Sequence, residues 1–316
     1  MFHDFVGCNI EESQNILKFV IYSTKFHKGM CGGIDKSKRV LDIMKYSADD
    51  SDFRNKAEVV RNILMLLFQS YLLANGATDS SSFENLSYLP KNLEFSWQKK
   101  CLVFISPKSG KGKAQSFWNE IEPALRANGF VPTVIVTQYR LHARDEITKM
   151  PAEELQQYYQ VLIHGGDGMV NEVINGFYAR FKPGFMDTSY QLRIGALRGG
   201  SACAAMSHAC ARHGLNVKSN INAMWVVTRQ QFRKMRIVRA ELENMPNAVE
   251  PEKINGMVNK KKIVAYEETE QVKANEIQAT KFVYSFHSFA VGTTSDFVLN
   301  SEKYRCCGES RYIIGP

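Results

Sequence analysis

Three short glycine-rich stretches of this sequence contain residues able to hold a phosphate and move a proton. The first is Ser106-Pro-Lys-Ser-Gly-Lys-Gly-Lys113, the second His164-Gly-Gly-Asp-Gly168 and the third Arg198-Gly-Gly-Ser201. Glycine lets a backbone close on a ligand without Cβ clashes, and a helix that starts just after such a turn offers its amides to an anion. Lys108, Lys111 and Lys113 add positive charge to the first turn. Its spacing does not match GxxxxGK[ST], so it is not a Walker loop. In the second turn Asp167 stands where a carboxylate could accept a hydroxyl proton or bind a magnesium ion. Taken singly, each turn has a plainer reading: a solvated basic turn, a tight turn chosen for its backbone angles, and a serine that caps a helix.

The segments between the turns explain why the three belong together. CLVFIS (101–106), VPTVIVT (131–137), VLIH (161–164) and LRIGAL (192–197) are continuous apolar runs of strand length. Between them lie helical patterns: one marked by Phe117, Ile121, Ala124 and Leu125 and closed by Gly129, then HARDEITKM, AEELQQYY and MVNEVINGFYAR. SACAAMSHACARHG follows as a helix stopped by Gly214. Such alternation predicts an α/β fold, a mainly parallel sheet with helices on both faces and ligands at the carboxyl ends of its strands. All three turns fall at such ends, and together they outline a nucleotide cleft.

On either side the texture changes. Residues 1–97 contain a strand candidate at Leu17–Tyr22 and a helical pattern from Asp52 to Ala74, followed by the polar tract NGATDSSSFENLS. From about Thr228 the runs MRIVRAEL, KKIVAYE and KFVYSFHSFAVG read as strands, with ENMPNAVEPEKINGMVN as a long loop between the first two. They predict the start of an antiparallel β-sandwich. The strands before RYIIGP are too few to close a sheet, so the sequence is expected to be a fragment or truncated product. The expected division is therefore 1–97, a reduced module of the pleckstrin-homology kind; 98–227, the nucleotide-binding domain; and 228–316, a partial β-sandwich.

The 316 residues carry 40 Lys and Arg against 32 Asp and Glu, a formal charge of +8 that favours anionic partners. Seven scattered cysteines form no CxxC pair and no zinc-type spacing, which fits a reducing, cytosolic setting. NILMLLF (62–68) is far shorter than the roughly 18 residues a membrane span needs. Membrane contact is thus expected to be peripheral, on an anionic surface. The basic run Arg229, Arg233, Lys234, Arg236, Arg239 reads as a solvated face; His164, His208 and His213 read as structural.

SPKSGKGKA, VTQYRLHARDE, GGDGMVNEVINGF, RIGALRGGSA and SEKYRCCGESRY, in that order, resemble the motif series of the diacylglycerol kinase catalytic superfamily, and specifically its sphingosine and ceramide kinase branch. The resemblance covers residues 101–316. It implies ATP and Mg2+ as cofactors, with Gly110, Lys111, Gly112 and Lys113 as the first phosphate loop and Thr137 at the nucleotide's edge. Gly165, Gly166 and Gly168 would hold the nucleotide while Asp167, the catalytic base and metal ligand, takes the proton of a lipid's primary hydroxyl. Glu172 would support this site, Gly200 and Ser201 would contact the nucleotide, and Arg305 and Arg311 would neutralise the phosphates in transit. Asp296 and Glu302 would lie near the lipid head group, the lipid being a sphingoid base or a ceramide.

The sequence departs from that pattern in places. Ser106 stands where asparagine is usual, and RGGSACAAM replaces something close to PAGSGNALA, so Arg198 and Cys203 take the places of a proline and an asparagine. Val298 falls where sphingosine kinases carry a head-group carboxylate, which leaves room for a neutral substrate such as ceramide unless Asp296 fills that role. The family's Asp-Gly-Glu element lies beyond Pro316. Two rival readings stand beside the lipid kinase: a kinase of a soluble substrate such as NAD, and a non-catalytic relative that keeps the fold.

Overall fold

Four parallel strands build the sheet that carries the glycine turns: β4 (Lys99–Ile105), β5 (Phe130–Val136), β6 (Gln160–Gly165) and β7 (Ile194–Arg198), in the order β5-β4-β6-β7. The computed structural model describes residues 4–13, 16–28, 34–47, 51–75, 98–180, 192–199, 203–241 and 282–287. The strand expected at KKIVAYE, the ENMPNAVEPEKINGMVN loop and residues 288–316 lie outside them. Strands β4 and β6 are central and almost wholly buried. Continuous apolar runs such as CLVFI are what a strand covered on both faces requires.

Helix α2 (Ala114–Ala127) follows β4, and its Trp118, Ile121, Ala124 and Leu125 pack on Val103, Ile105 and Leu162. Gly129 closes it at φ 95°, a backbone conformation that favours glycine, and turns the chain into β5. AEELQQYY forms only the single turn α4 (Ala152–Leu155). The Tyr159 N–H donates to the Lys100 carbonyl at 2.8 Å and draws the following residues into the sheet instead. After β7 come α6 (Ala204–Ala211) and α7 (Asn220–Thr228).

Residues before β4 form a three-stranded antiparallel sheet, β1 (Phe5–Ser13), β2 (Ile16–Lys28) and β3 (Ile34–Ser47), followed by α1 (Ser51–Ala74). Alternation along these strands feeds two cores. Phe5, Cys8, Leu17 and Phe19 pack with Met65, Phe68 and Leu72 of α1. Val6, Val20 and Tyr22 instead join the core of α2. A Cβ at Gly7 would overlap the backbone of Ala127 and Asn128, and the Asn128 side chain donates to the Val6 carbonyl. Arg229, read from sequence as solvated, is buried. It donates to the Phe5 carbonyl at 2.6 Å and lies over the rings of Phe68 and Trp225, whose π-faces offset the loss of its water.

The described residues fall into two units: one drawn from 1–136, 153–167 and 190–234, the other from 137–152, 168–189 and 235–316. In the second, α5 (Asp167–Arg180), which begins at the last residue of the first unit, runs close to α3 (His142–Lys149) at Gly176. There a Cβ would meet the Arg144 backbone at 2.7 Å. The antiparallel pair β8 (Val238–Glu241) and β9 (Phe282–Ser285) also belongs here. The Asn175 amide brackets the backbone of Tyr284, donating at 2.8 Å and accepting at 2.9 Å, while Tyr178 stacks on the Tyr284 ring at 4.0 Å.

Candidate functional site

Within the first unit the three turns meet at the carboxyl ends of β4, β6 and β7. The Ser106 N–H donates to the His164 carbonyl at 3.1 Å, which ties the first turn to the strand that delivers the second. The third turn is pressed against the second: a Cβ at Gly199 would lie 2.5 Å from the Gly165 nitrogen and 2.8 Å from the His164 carbonyl carbon. Position 199 therefore requires glycine for close approach, whatever its backbone angles.

Ser109–Gly112 form a 3-10 turn that leads into α2. Gly112, at φ 80°, reverses the chain there, and Lys113 is exposed beside it. No acidic residue occupies the first turn of α2 and no side chain caps it among the described residues. Its leading amides and partial positive charge are thus directed at the same strand ends.

Asp167 is the first residue of α5 and is part-buried. Its carboxylate accepts the Ala204 N–H with both oxygens, at 2.8 and 3.0 Å, and so caps α6. An aspartate here consequently has a structural task in addition to any chemical one, a task the sequence reading did not foresee because its partner lies 37 residues away. Cys203 is the N-cap residue of α6 and is buried against the same carboxylate. Burial pushes its thiol up to about 11, with the Asp167 charge and a hydrogen bond to it acting in the same direction. At neutral pH the thiol keeps its proton and can donate it to Asp167.

The remaining candidates divide. Gly165 is buried, Gly166 part-buried and Gly168 exposed; a Cβ at Gly168 would meet nothing within 4 Å, so that position is open to a ligand's approach. Arg198 does not point a free charge at the turns, since its guanidinium donates to the Lys218 carbonyl. In the second unit Thr137 is buried just after β5. Glu172 is half-buried there, which raises its carboxyl pKa. It accepts the backbone N–H groups of Leu141 and Ala143 and has Arg140 and Arg144 near, all of which act the opposite way. Leu141 sits at φ 69°, so Glu172 braces a strained entry into α3. Gly200, Ser201, Asp296, Glu302, Arg305 and Arg311 lie outside the described residues.

The described residues do not by themselves fit a divalent cation. No group of three His, Cys, Asp or Glu side chains comes together among them, and both Asp167 oxygens are turned to the Ala204 amide. Nor is any described helix long and apolar enough to cross a membrane.

Residues 100–240 match the family model described as the diacylglycerol kinase catalytic domain. Sphingosine kinase 1 of Mus musculus is 27% identical over 221 residues, which is 68% of this chain and 47% of that protein. Sphingoid long chain base kinase 4 of Schizosaccharomyces pombe is 24% identical over 218 residues, 69% of this chain and 37% of that one. A ceramide kinase of Oryza sativa subsp. japonica reaches 34% over 85 residues, 27% of this chain and 14% of its own length. The chain thus spans about half the length, or less, of these curated relatives. A solved diacylglycerol kinase from Bacillus anthracis strain Sterne overlaps 45% of each chain at 22% identity and a TM-score of 0.33.

Proposed function

We propose, for a chain that belongs through residues 100–240 to the diacylglycerol kinase catalytic family and within it to the sphingosine and ceramide kinase branch, that it acts as a lipid kinase with ATP as phosphate donor. The acceptor is the primary hydroxyl of a sphingoid base. The observation that carries this reading is the meeting of three glycine turns, at three adjacent strand ends, around one carboxylate.

In this reading the backbone amides of the first turn and of α2's N-terminus take the nucleotide phosphates, with Gly110, Lys111, Gly112 and Lys113 nearest them. Gly165, Gly166 and Gly168 would clear space, with Thr137, Gly200 and Ser201 beside the nucleotide and Glu172 supporting from α5. Asp167 accepts the hydroxyl proton as the oxygen attacks the terminal phosphate. Phosphoryl transfer asks a protein mainly for positioning and for offsetting charge, and Arg305 and Arg311 would supply that charge. Asp296 and Glu302 would be the residues that meet the lipid head group. Any Mg2+ would travel with the nucleotide, since the described side chains provide no ligand set for it. The charge of +8 favours visits to anionic membrane surfaces by a protein whose proposed location is the cytoplasm.

The test is transfer of labelled phosphate from ATP to sphingosine, ceramide and diacylglycerol in mixed micelles, with NAD as a soluble control. Sphingosine labelling that Asp167→Asn abolishes supports the reading; consumption of NAD alone contradicts it. Labelling of ceramide alone would move the substrate to the neutral lipid that Val298 permits. A second reading, a nucleotide-binding relative without turnover, is favoured by one observation: both oxygens of the expected base are engaged on the α6 amide. It predicts nucleotide binding with no labelled lipid.

A further inference from the structure

His164 is the residue before the second glycine turn, and packing alone does not explain it. Its side chain is fully buried, and neither ring nitrogen has a hydrogen-bond partner among the described residues. In the sheet it pairs with Ile105 on one side and Leu197 on the other. The ring of Phe117, in the first turn of α2, stacks over it with centroids 6.4 Å apart and planes 16° apart. The surroundings are apolar enough to lower its pKa to about 4, so the imidazole is neutral at physiological pH and presents one N–H and one lone pair. A buried donor left without a partner costs about 1–3 kcal/mol, and leucine or phenylalanine in the same slot would avoid this.

What lies next to the imidazole suggests why the cost is carried. Phe117 belongs to the uncapped N-terminus of α2, the 3-10 turn Ser109–Gly112 packs against β6, and the His164 carbonyl holds Ser106 at the base of the first turn. The unsatisfied ring therefore lies against Phe117, in the first turn of the helix whose N-terminal amides attract an anion. We infer that His164 is a phosphate-positioning residue, whose N–H donates to an oxygen of the nucleotide's phosphate chain when that chain settles on the N-terminus of α2. The inference rests on nucleotide binding at the glycine turns and adds a donor that comes from the sheet rather than from the loops.

Two variants of the 316-residue chain separate this role from packing. His164→Phe keeps ring volume and the stack on Phe117 but removes both polar atoms; His164→Gln keeps an N–H of similar reach. Thermal unfolding is followed without ligand, and binding of ATP, ADP and adenosine is followed by calorimetry. His164→Phe is expected to raise the Tm by about 2–4 °C while weakening ATP and ADP about tenfold and leaving adenosine unchanged. His164→Gln is expected to recover phosphate-dependent binding to within about threefold of the starting protein. A lower Tm for His164→Phe, unaltered ATP affinity, or equal weakening of adenosine overturns the inference. If the starting protein binds none of the three ligands, the nucleotide reading fails and takes this inference with it. Tight ATP binding that ignores both variants removes the inference alone.

Discussion

Asp167 holds the Ala204 N–H in the structure and is the base of the proposed reaction, and substitution can separate the two. Asparagine retains an oxygen for the Ala204 N–H, so Asp167→Asn is expected to keep the Tm within about 1 °C while losing phosphoryl transfer by at least about 100-fold. Asp167→Ala loses the cap as well, and chemical denaturation should register about 1 kcal/mol of lost stability. Equal stability for the two variants would deny the cap any energetic weight. His164 makes a pH-dependent prediction. Its folded pKa, about 4, lies below the value near 6.5 of an exposed histidine, so as pH falls the unfolded chain takes up the proton first. Stability attributable to this residue is complete above pH 6.5 and declines as pH falls toward 4, by about 3 kcal/mol in all. The difference in unfolding free energy between the protein and His164→Phe should therefore grow in favour of phenylalanine across that window. A constant difference would mean that the imidazole titrates normally.

Among the elements, the third glycine turn is sensitive to a single methyl group. Gly199→Ala places a Cβ against the backbone of β6 and the second turn, neither of which can yield without moving the sheet. It is expected to cost about 2–3 kcal/mol of stability and to weaken nucleotide binding, both measurable on one preparation. Full stability in Gly199→Ala would show that the turns are not in contact. The parallel strands and α2 were legible because CLVFI, VLIH and the Phe117–Leu125 spacing state their period directly. Helix α7 was not, because NINAMWVVT is buried on nearly every side and so shows no amphipathic stripe. Strands β1 and β3 escaped for a different reason. FVGCNIEES and IDKSKRVLDIMKYS interleave charges with apolar residues, and only pairing with β2 turns that pattern into a sheet. The glycine turns and Asp167 were readable as a group, whereas the carboxylate's partner and the unsatisfied imidazole depend on contacts between residues far apart in sequence.

At the scale of the molecule, the first residues are joined to the parallel sheet. Val6, Val20 and Tyr22 share a core with Trp118 and Ile121, and Arg229 and Asn128 hold the β1 backbone by its carbonyls. A chain lacking residues 1–75 is accordingly expected to lose cooperative unfolding and near-ultraviolet ellipticity, since α2 would face water on the side now covered. A sharp transition in that shortened chain would instead mark the N-terminal sheet as a separable module, which was the expectation from sequence. Arg229→Met tests the same junction more gently. It removes the guanidinium's hydrogen bond to the Phe5 carbonyl and should cost about 1–3 kcal/mol in chemical denaturation.

The carboxylate at the start of α5 is the centre of the proposed site. The most direct measurement is labelled phosphate transfer from ATP to sphingosine by the chain and by its Asp167→Asn variant, with nucleotide binding and Tm recorded for both. Transfer by the unaltered chain, and its loss in a variant that still binds ATP and unfolds at the same temperature, is the expected result. Equal transfer by the two proteins would contradict the role given to Asp167.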